Sequence, residues 1–257
     1  MTVRCLFLFF ATATAAAPLR AEMPFLLDQA LGNLAHNADR WAYTQTLTEK
    51  DDKGKVVSVA VVRFDPSKPY AGQFTPLAID GKEPSERQFN KYRREGEKRA
   101  DRHDQAEREG TTSVRKSLGE LMDLEHATVA AETPRSVTYE VPLRKEGNNR
   151  LPPDKFLVTA QVAKEHGVFE NIAIKVRAPF RQVLVVKIKS GEGLLEFTTV
   201  DPKFTPVLTS IRGGGTGSIF FIPVGRTYEL KREAFQRVKP YAERFGVEVG
   251  PLKTLDY

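Results

Sequence analysis

The chain has 257 residues, with 39 Lys and Arg against 33 Asp and Glu, and its only cysteine is Cys5. A single cysteine excludes an internal disulfide framework and a multi-thiolate zinc site, so stability must come from an ordinary hydrophobic core. The cationic excess is mild and fits plain solubility, not a polybasic nucleic-acid binder.

Residues 1–21 read as an export signal. Arg4 supplies the positive start, 5–17 the apolar stretch, and Ala21 the small residue before Glu22 where a signal peptidase cuts. Pro18 and Arg20 end the apolar run short of the roughly 20 residues that a membrane-spanning helix needs. Cys5 stands at the start of that run, away from the cleavage site, which argues against lipid attachment. Cleavage leaves about 236 residues (257 minus 21); losing Arg4 and Arg20 takes the balance to 37 basic against 33 acidic, or +4. No second apolar run approaches spanning length, so the expectation is a soluble periplasmic protein with one domain over 22–257.

Between Met23 and Trp41, the residues Leu27, Ala30, Leu31, Leu34, Ala35, Ala38 and Trp41 recur at spacings of three and four, which predicts an amphipathic helix. Period-two alternation over 41–48 predicts a strand, Asp51 to Gly54 a turn, and 56–64 a returning strand. Asp65, Pro66 and Pro69 interrupt that ladder, and 79–84 marks a further turn. Ser85 with Gln88 three residues on has the pattern of a capping box, and Phe89 with Tyr92 gives the helix it starts one apolar edge.

From 93 to 110 nearly every residue is charged, with both signs interleaved, which predicts a solvated helix extension or a mobile loop. Together with its flanks this forms a charged insertion at about 85–116. It lacks the cationic and aromatic character of a nucleic-acid arm, so no nucleic-acid partner is expected. A short helix is predicted from Ser117 through Leu118, Leu121, Met122 and Leu124. Strands follow over 128–132, 136–141, 156–163, 168–177, 183–189, 194–200, 206–211 and 219–229. The links 146–149, 190–193 and 213–217 read as tight turns, the last as a hairpin tip, which implies an antiparallel meander. Residues 231–245 carry Ala234, Phe235, Val238, Tyr241 and Phe245 at helical spacing, broken by Pro240, and are predicted helical.

Catalytic motifs are scarce. His36, His103, His126 and His166 are too far apart in sequence for a His-Glu-x-x-His site, so no metal and no cofactor are expected. Ser113 and Lys116 match Ser-x-x-Lys by spacing, without the motifs that accompany such a serine. The glycines of 213–217 lack the Lys-Ser or Lys-Thr of a phosphate loop, and no pair among the 33 carboxylates is singled out for glycoside hydrolysis. No enzyme is expected.

The order of elements is the more informative signal. An export signal, an amphipathic helix, the strand from Trp41, a hairpin, the stretch Arg63-Phe-Asp-Pro-Ser-Lys-Pro69 and later Gly193-Leu-Leu-Glu-Phe-Thr-Thr-Val-Asp-Pro202 together resemble the superfamily of periplasmic outer-membrane lipoprotein carriers. That resemblance implies an α+β fold: a strongly curved antiparallel sheet, a half-barrel, packed on the N-terminal helix and one or two short helices. It also implies an acyl or lipid-like ligand. The carriers are shorter, and the charged insertion and the tail 231–257 have no counterpart among them, so no functional residue is carried over. The expected cavity lining is Trp41, Val61, Val158, Ile174 and Phe197, placed on strands whose apolar face must meet helices or a ligand. Two other readings stand beside a carrier of a lipid or acylated ligand: an envelope interaction module contacting other envelope proteins through 93–110, and an envelope hydrolase.

Overall fold

The computed structural model describes residues 23–145, 152–183, 186–220 and 222–245. The predicted export signal at 1–21, the predicted link at 146–149 and the end of the tail lie outside these.

Eleven strands form one antiparallel sheet: β1 (Trp41–Asp51), β2 (Val56–Phe64), β3 (Phe74–Ile79), β4 (Thr128–Glu132), β5 (Ser136–Glu140), β6 (Phe156–Ala163), β7 (Val168–Val176), β8 (Phe180–Val183), β9 (Val186–Thr198), β10 (Val207–Ile219) and β11 (Ile222–Arg237). The order is β3-β2-β1-β11-β10-β9-β7-β6-β5-β4, with β8 on the free flank of β9. The sheet does not close, and its curvature makes it the α+β half-barrel that the sequence implies. Among the described residues three α-helices cover the concave side: α1 (Phe25–Asn37), α2 (Glu86–Arg108) and α3 (Ser113–Leu121).

The glycine-rich stretches are not turns. Gly213 to Gly217 sit inside β10, paired on one side with 188–193 of β9 and on the other with 224–228 of β11. A Cβ on Gly217 would lie 2.4 Å from the Lys187 carbonyl oxygen, and one on Gly193 would lie 2.9 Å from Ile174 Cγ2. Glycine inside a strand marks close backbone approach and bending, and here it lets long strands cross the middle of a curved sheet. Of the predicted segments 183–189 and 194–200, residues 186–189 and 194–198 belong to the one strand β9, and Val183 ends β8. The true β10–β11 connection is the reversal at Ile219↔Ile222.

Residues 231–237 are strand, not helix. Their helical spacing comes from a bulge: Thr44 pairs with Glu233 and Ala42 with Gln236, so Ala234 and Phe235 together oppose Tyr43. Ala234 takes φ 51°, and its carbonyl accepts a 3.0 Å hydrogen bond from Arg63 Nη1. A short 3₁₀ turn, Ala242–Phe245, follows.

α1 forms where its spacing predicts and packs on β6 and β7. Leu27, Ala30 and Leu31 are buried among Val137, Tyr139, Val158, Val162 and Phe169. Each such leucine contributes about 1.5–3 kcal/mol by leaving water. Asn33 Nδ2 donates to the Gly167 carbonyl at 2.8 Å and holds the helix over the β6–β7 turn.

α2 begins at the expected capping box, the Ser85 amide donating to Gln88 Oε1 at 2.7 Å. The charged stretch is helical through Arg108, and only Gly96 and Ala106 of α2 are buried. Gly96 makes the docking possible, because a Cβ there would meet the Tyr70 carbonyl oxygen at 1.9 Å. α3 starts at Ser113, four residues before the predicted Ser117, because Thr112 Oγ1 caps the Arg115 amide at 3.1 Å. Among the described residues no helix is long and apolar enough to cross a membrane.

Candidate functional site

α1 fills the concave face over β5–β7 and stops. Beyond its end, over β1, β2, β9, β10 and β11, the face carries a second aromatic cluster of Trp41, Tyr43, Phe64 and Val207, with Phe74, Phe204 and Phe235 against it. The rings interlock: Trp41 meets Phe204 edge-on at 5.5 Å, Tyr43 stands 5.0 Å from Phe64 and 5.6 Å from Phe235, and Phe64 stands 4.9 Å from Phe74. Such contacts add about 0.5–1.5 kcal/mol each beyond the area they bury.

Between this floor and the three helices lies a half-open cavity of about 300 Å³. Its walls are Leu34 and Asn37 at the end of α1, Arg99 and Arg102 of α2, Ser113 and Leu118 of α3, and Ile172, Leu195 and Phe197 of the sheet. This is the low end of the volumes that hold small ligands, with the usual apolar lining and few polar groups.

Three arginines, Arg99 and Arg232 of the lining and Arg237 beside it, lie over the rings of this floor. Arg99 lies 5.0 Å above Phe64 and pairs with Asp39. Arg237 lies 5.1 Å from Trp41 and 4.2 Å from Phe204, and donates to Asn37 Oδ1 at 2.9 Å. Arg232 lies 4.5 Å from Tyr43. Burial lowers the pKa values of Arg232 and Arg237 and raises that of the Tyr43 phenol, since desolvation penalises each charged form. Trp41 Nε1 and Arg232 Nε are buried without an acceptor.

Of the five residues expected to line a cavity, Trp41 and Phe197 do so. Val158 is buried in the α1 core, and Ile174 packs against that core from β7. Val61 falls on the other face of β2 from buried Val62 and Phe64. The arginines, Tyr43 and Phe235 were not legible as lining: Arg99 and Arg102 sit in a run that reads as solvated, and Phe235 reaches the cavity only through the Ala234 bulge.

Other candidate groups are local. His126 pairs with Asp123 at 2.9 Å, and His166 stands beside Glu165. Lys116 is engaged by Glu109 at 2.6 Å, and Ser117 Oγ donates to the Ser113 carbonyl at 2.8 Å. On α2, His103, Asp104 and Glu107 bring their ligand atoms within 4.8 Å of one another, a spacing that a search for paired histidines passes over. The β10–β11 tip exposes Ile219, Phe220, Ile222 and Val224.

No protein-family model matches the chain. No curated protein matches it either. Among solved structures it is similar to the MucA/MucB complex of Pseudomonas aeruginosa, at 9% identity over 83% of this chain and 99% of that one, with a TM-score of 0.22. A second structure, of MucB with MucA(peri), matches at 8% identity over 82% of this chain and 98% of that one, with a TM-score of 0.23. At these values no site residue is assigned from the likeness.

Proposed function

We propose that this chain is an exported periplasmic protein that binds and carries an apolar ligand, a single acyl chain, without catalysing a reaction. The observation that carries this reading is the half-open cavity of about 300 Å³ left on the concave face where α1 ends, over an aromatic floor. Folding buries apolar surface wherever chain is available to cover it. A curved face left partly uncovered beside one packed tightly by α1 suits a removable occupant. The leader at 1–21 supports export, and the order of elements supports the carrier-like use of such a face.

The test is mass spectrometry of small molecules extracted from protein purified natively from the periplasm, against a denatured and refolded control. Stoichiometric lipid or fatty acid in the native sample alone is expected. An empty native protein that also fails to take up added fatty acid overturns the reading.

A second reading, an envelope interaction module, draws on the exposed Phe220 and Ile222 at the β10–β11 tip. It predicts that serine at both positions lowers recovery of the protein with envelope fractions; unchanged recovery removes it.

A further inference from the structure

Arg232 sits on β11 between Lys231 and Glu233, paired with Gln45 of β1, and its side chain turns inward over the Tyr43 ring. It lines the cavity among aromatic and aliphatic groups. A buried cation is ordinarily matched by an anion and a full set of acceptors, because an uncompensated charge out of water costs several kcal/mol. Arg232 has neither. Its Nε has no acceptor, and Nη1 reaches only the Leu208 carbonyl at 3.5 Å, the outer limit of a hydrogen bond.

The groups acting on its charge are the Tyr43 phenol, which favours the cation only once it ionises at alkaline pH, and the Arg99 guanidinium, which opposes it; no carboxylate is among them. Asp39 is engaged by Arg99, while Glu229 is held by Lys231 and Glu196 by Arg212. Arg102 adds another cation to the lining. The cavity therefore combines apolar walls, from Phe64 and Phe235 to Ile172 and Phe197, with a guanidinium that no carboxylate matches and whose Nε has no acceptor.

We propose that the cavity selects an anionic amphiphile, an oxyanion on a single alkyl chain, with Arg232 taking the carboxylate or phosphate head and Arg102 adding positive field. A guanidinium presents its donors as a planar fork that matches either oxyanion with two parallel bonds. This rests on the acyl-chain reading and names the head that reading leaves open.

The experiment titrates decanoate, decyl phosphate and decan-1-ol into the purified protein. Trp41, the chain's single tryptophan, lines the cavity and supplies the fluorescence signal. Wild type is expected to bind the two anions at least tenfold more tightly than the alcohol, the factor that one charge-assisted hydrogen-bond pair supplies. Arg232→Met should bring the anions down to the affinity of the alcohol and leave the alcohol unchanged; Arg232→Lys should retain part of the preference. Decanoate binding more tightly than decyl phosphate, or the reverse, tells which oxyanion the head is.

A second measurement separates recognition from packing. Without ligand, Arg232→Met should melt at the same temperature as wild type or above it, since it removes an unmatched buried charge. Decanoate should raise the Tm of wild type more than that of Arg232→Met, which it should shift no further than decan-1-ol does. Equal binding of anions and alcohol by wild type, or a preference that survives Arg232→Met, overturns the anionic selection and leaves the acyl-chain reading standing. Binding of none of the probes overturns both.

Discussion

The two halves of the concave face are built from the same kind of strand and finished differently. Over β5–β7, α1 lays Leu27 and Leu31 onto Val137, Val158, Val162 and Phe169, and the contact is fully buried. Over β1, β2 and β11 the cover is α2, a mostly solvated helix that touches down at Gly96 against Tyr70 and sends Arg99 across to Phe64. Apolar side chains lock one half together; rings, guanidinium planes and open space make up the other. A curved sheet is stable with only part of its inner face filled by its own chain, and the unfilled part is where binding is expected.

Leu31→Ala should give the largest effect. The residue is 0% exposed, and its loss opens a void that α1 cannot collapse. The expected destabilisation is about 2–5 kcal/mol, read by urea unfolding. If unfolding is unchanged, the contrast between the halves is wrong.

Gly96→Ala tests the other half. Alanine favours a helix by about 1 kcal/mol over glycine, but its Cβ would stand 1.9 Å from the Tyr70 carbonyl oxygen. Backbone cannot yield as a flexible side chain can, so a net loss of about 1–3 kcal/mol is expected. Hydrogen exchange should show protection lost along α2 with α1 intact. Equal loss in both helices would mean that the two covers are one cooperative unit.

Trp41→Phe should lie within about 1 kcal/mol of wild type in either direction, because it trades ring area for the removal of a buried N–H that has no acceptor. Circular dichroism melts measure it. A large loss would show that the indole nitrogen has a partner in solution.

The smallest effect appears only at alkaline pH. Burial raises the Tyr43 pKa above its ordinary value of 10.0, so the unfolded chain gives up that proton first. The stability contributed by the neutral phenol is whole below about pH 10 and is lost as pH climbs through the folded value. Tyr43→Phe should therefore unfold like wild type at pH 8 and fall less steeply above pH 10. An unchanged alkaline slope would mean that the ring is not buried.

Legibility followed locality. β4 and β6 run over the predicted residues, and in β6 the buried Val158, Ala160 and Val162 keep the period-two alternation that declares a strand. The capping box at Ser85 is likewise a matter of four neighbouring residues. The glycines of β9 and β10 were read as turns because glycine supplies turns; inside a crowded bend it serves for its missing Cβ, and the crowding belongs to strands far away in sequence. Val61 was placed one residue out of phase, and a one-residue slip moves a side chain to the opposite face.

Periodicity, capping and turn chemistry act over a few residues, and so the sequence by itself determined the α+β class, the amphipathic α1, the capped start of α2 and most of the strands, while the structure decided that 93–108 is helix. The cavity was decided only by tertiary structure. It depends on where α1 stops along the sheet, on the Ala234 bulge that turns Phe235 inward, and on Arg99 and Arg232, 133 positions apart, meeting over rings from β1 and β2. Burial, desolvation and the absence of a counter-charge are properties of a place in the fold, and no local pattern of residues carries them.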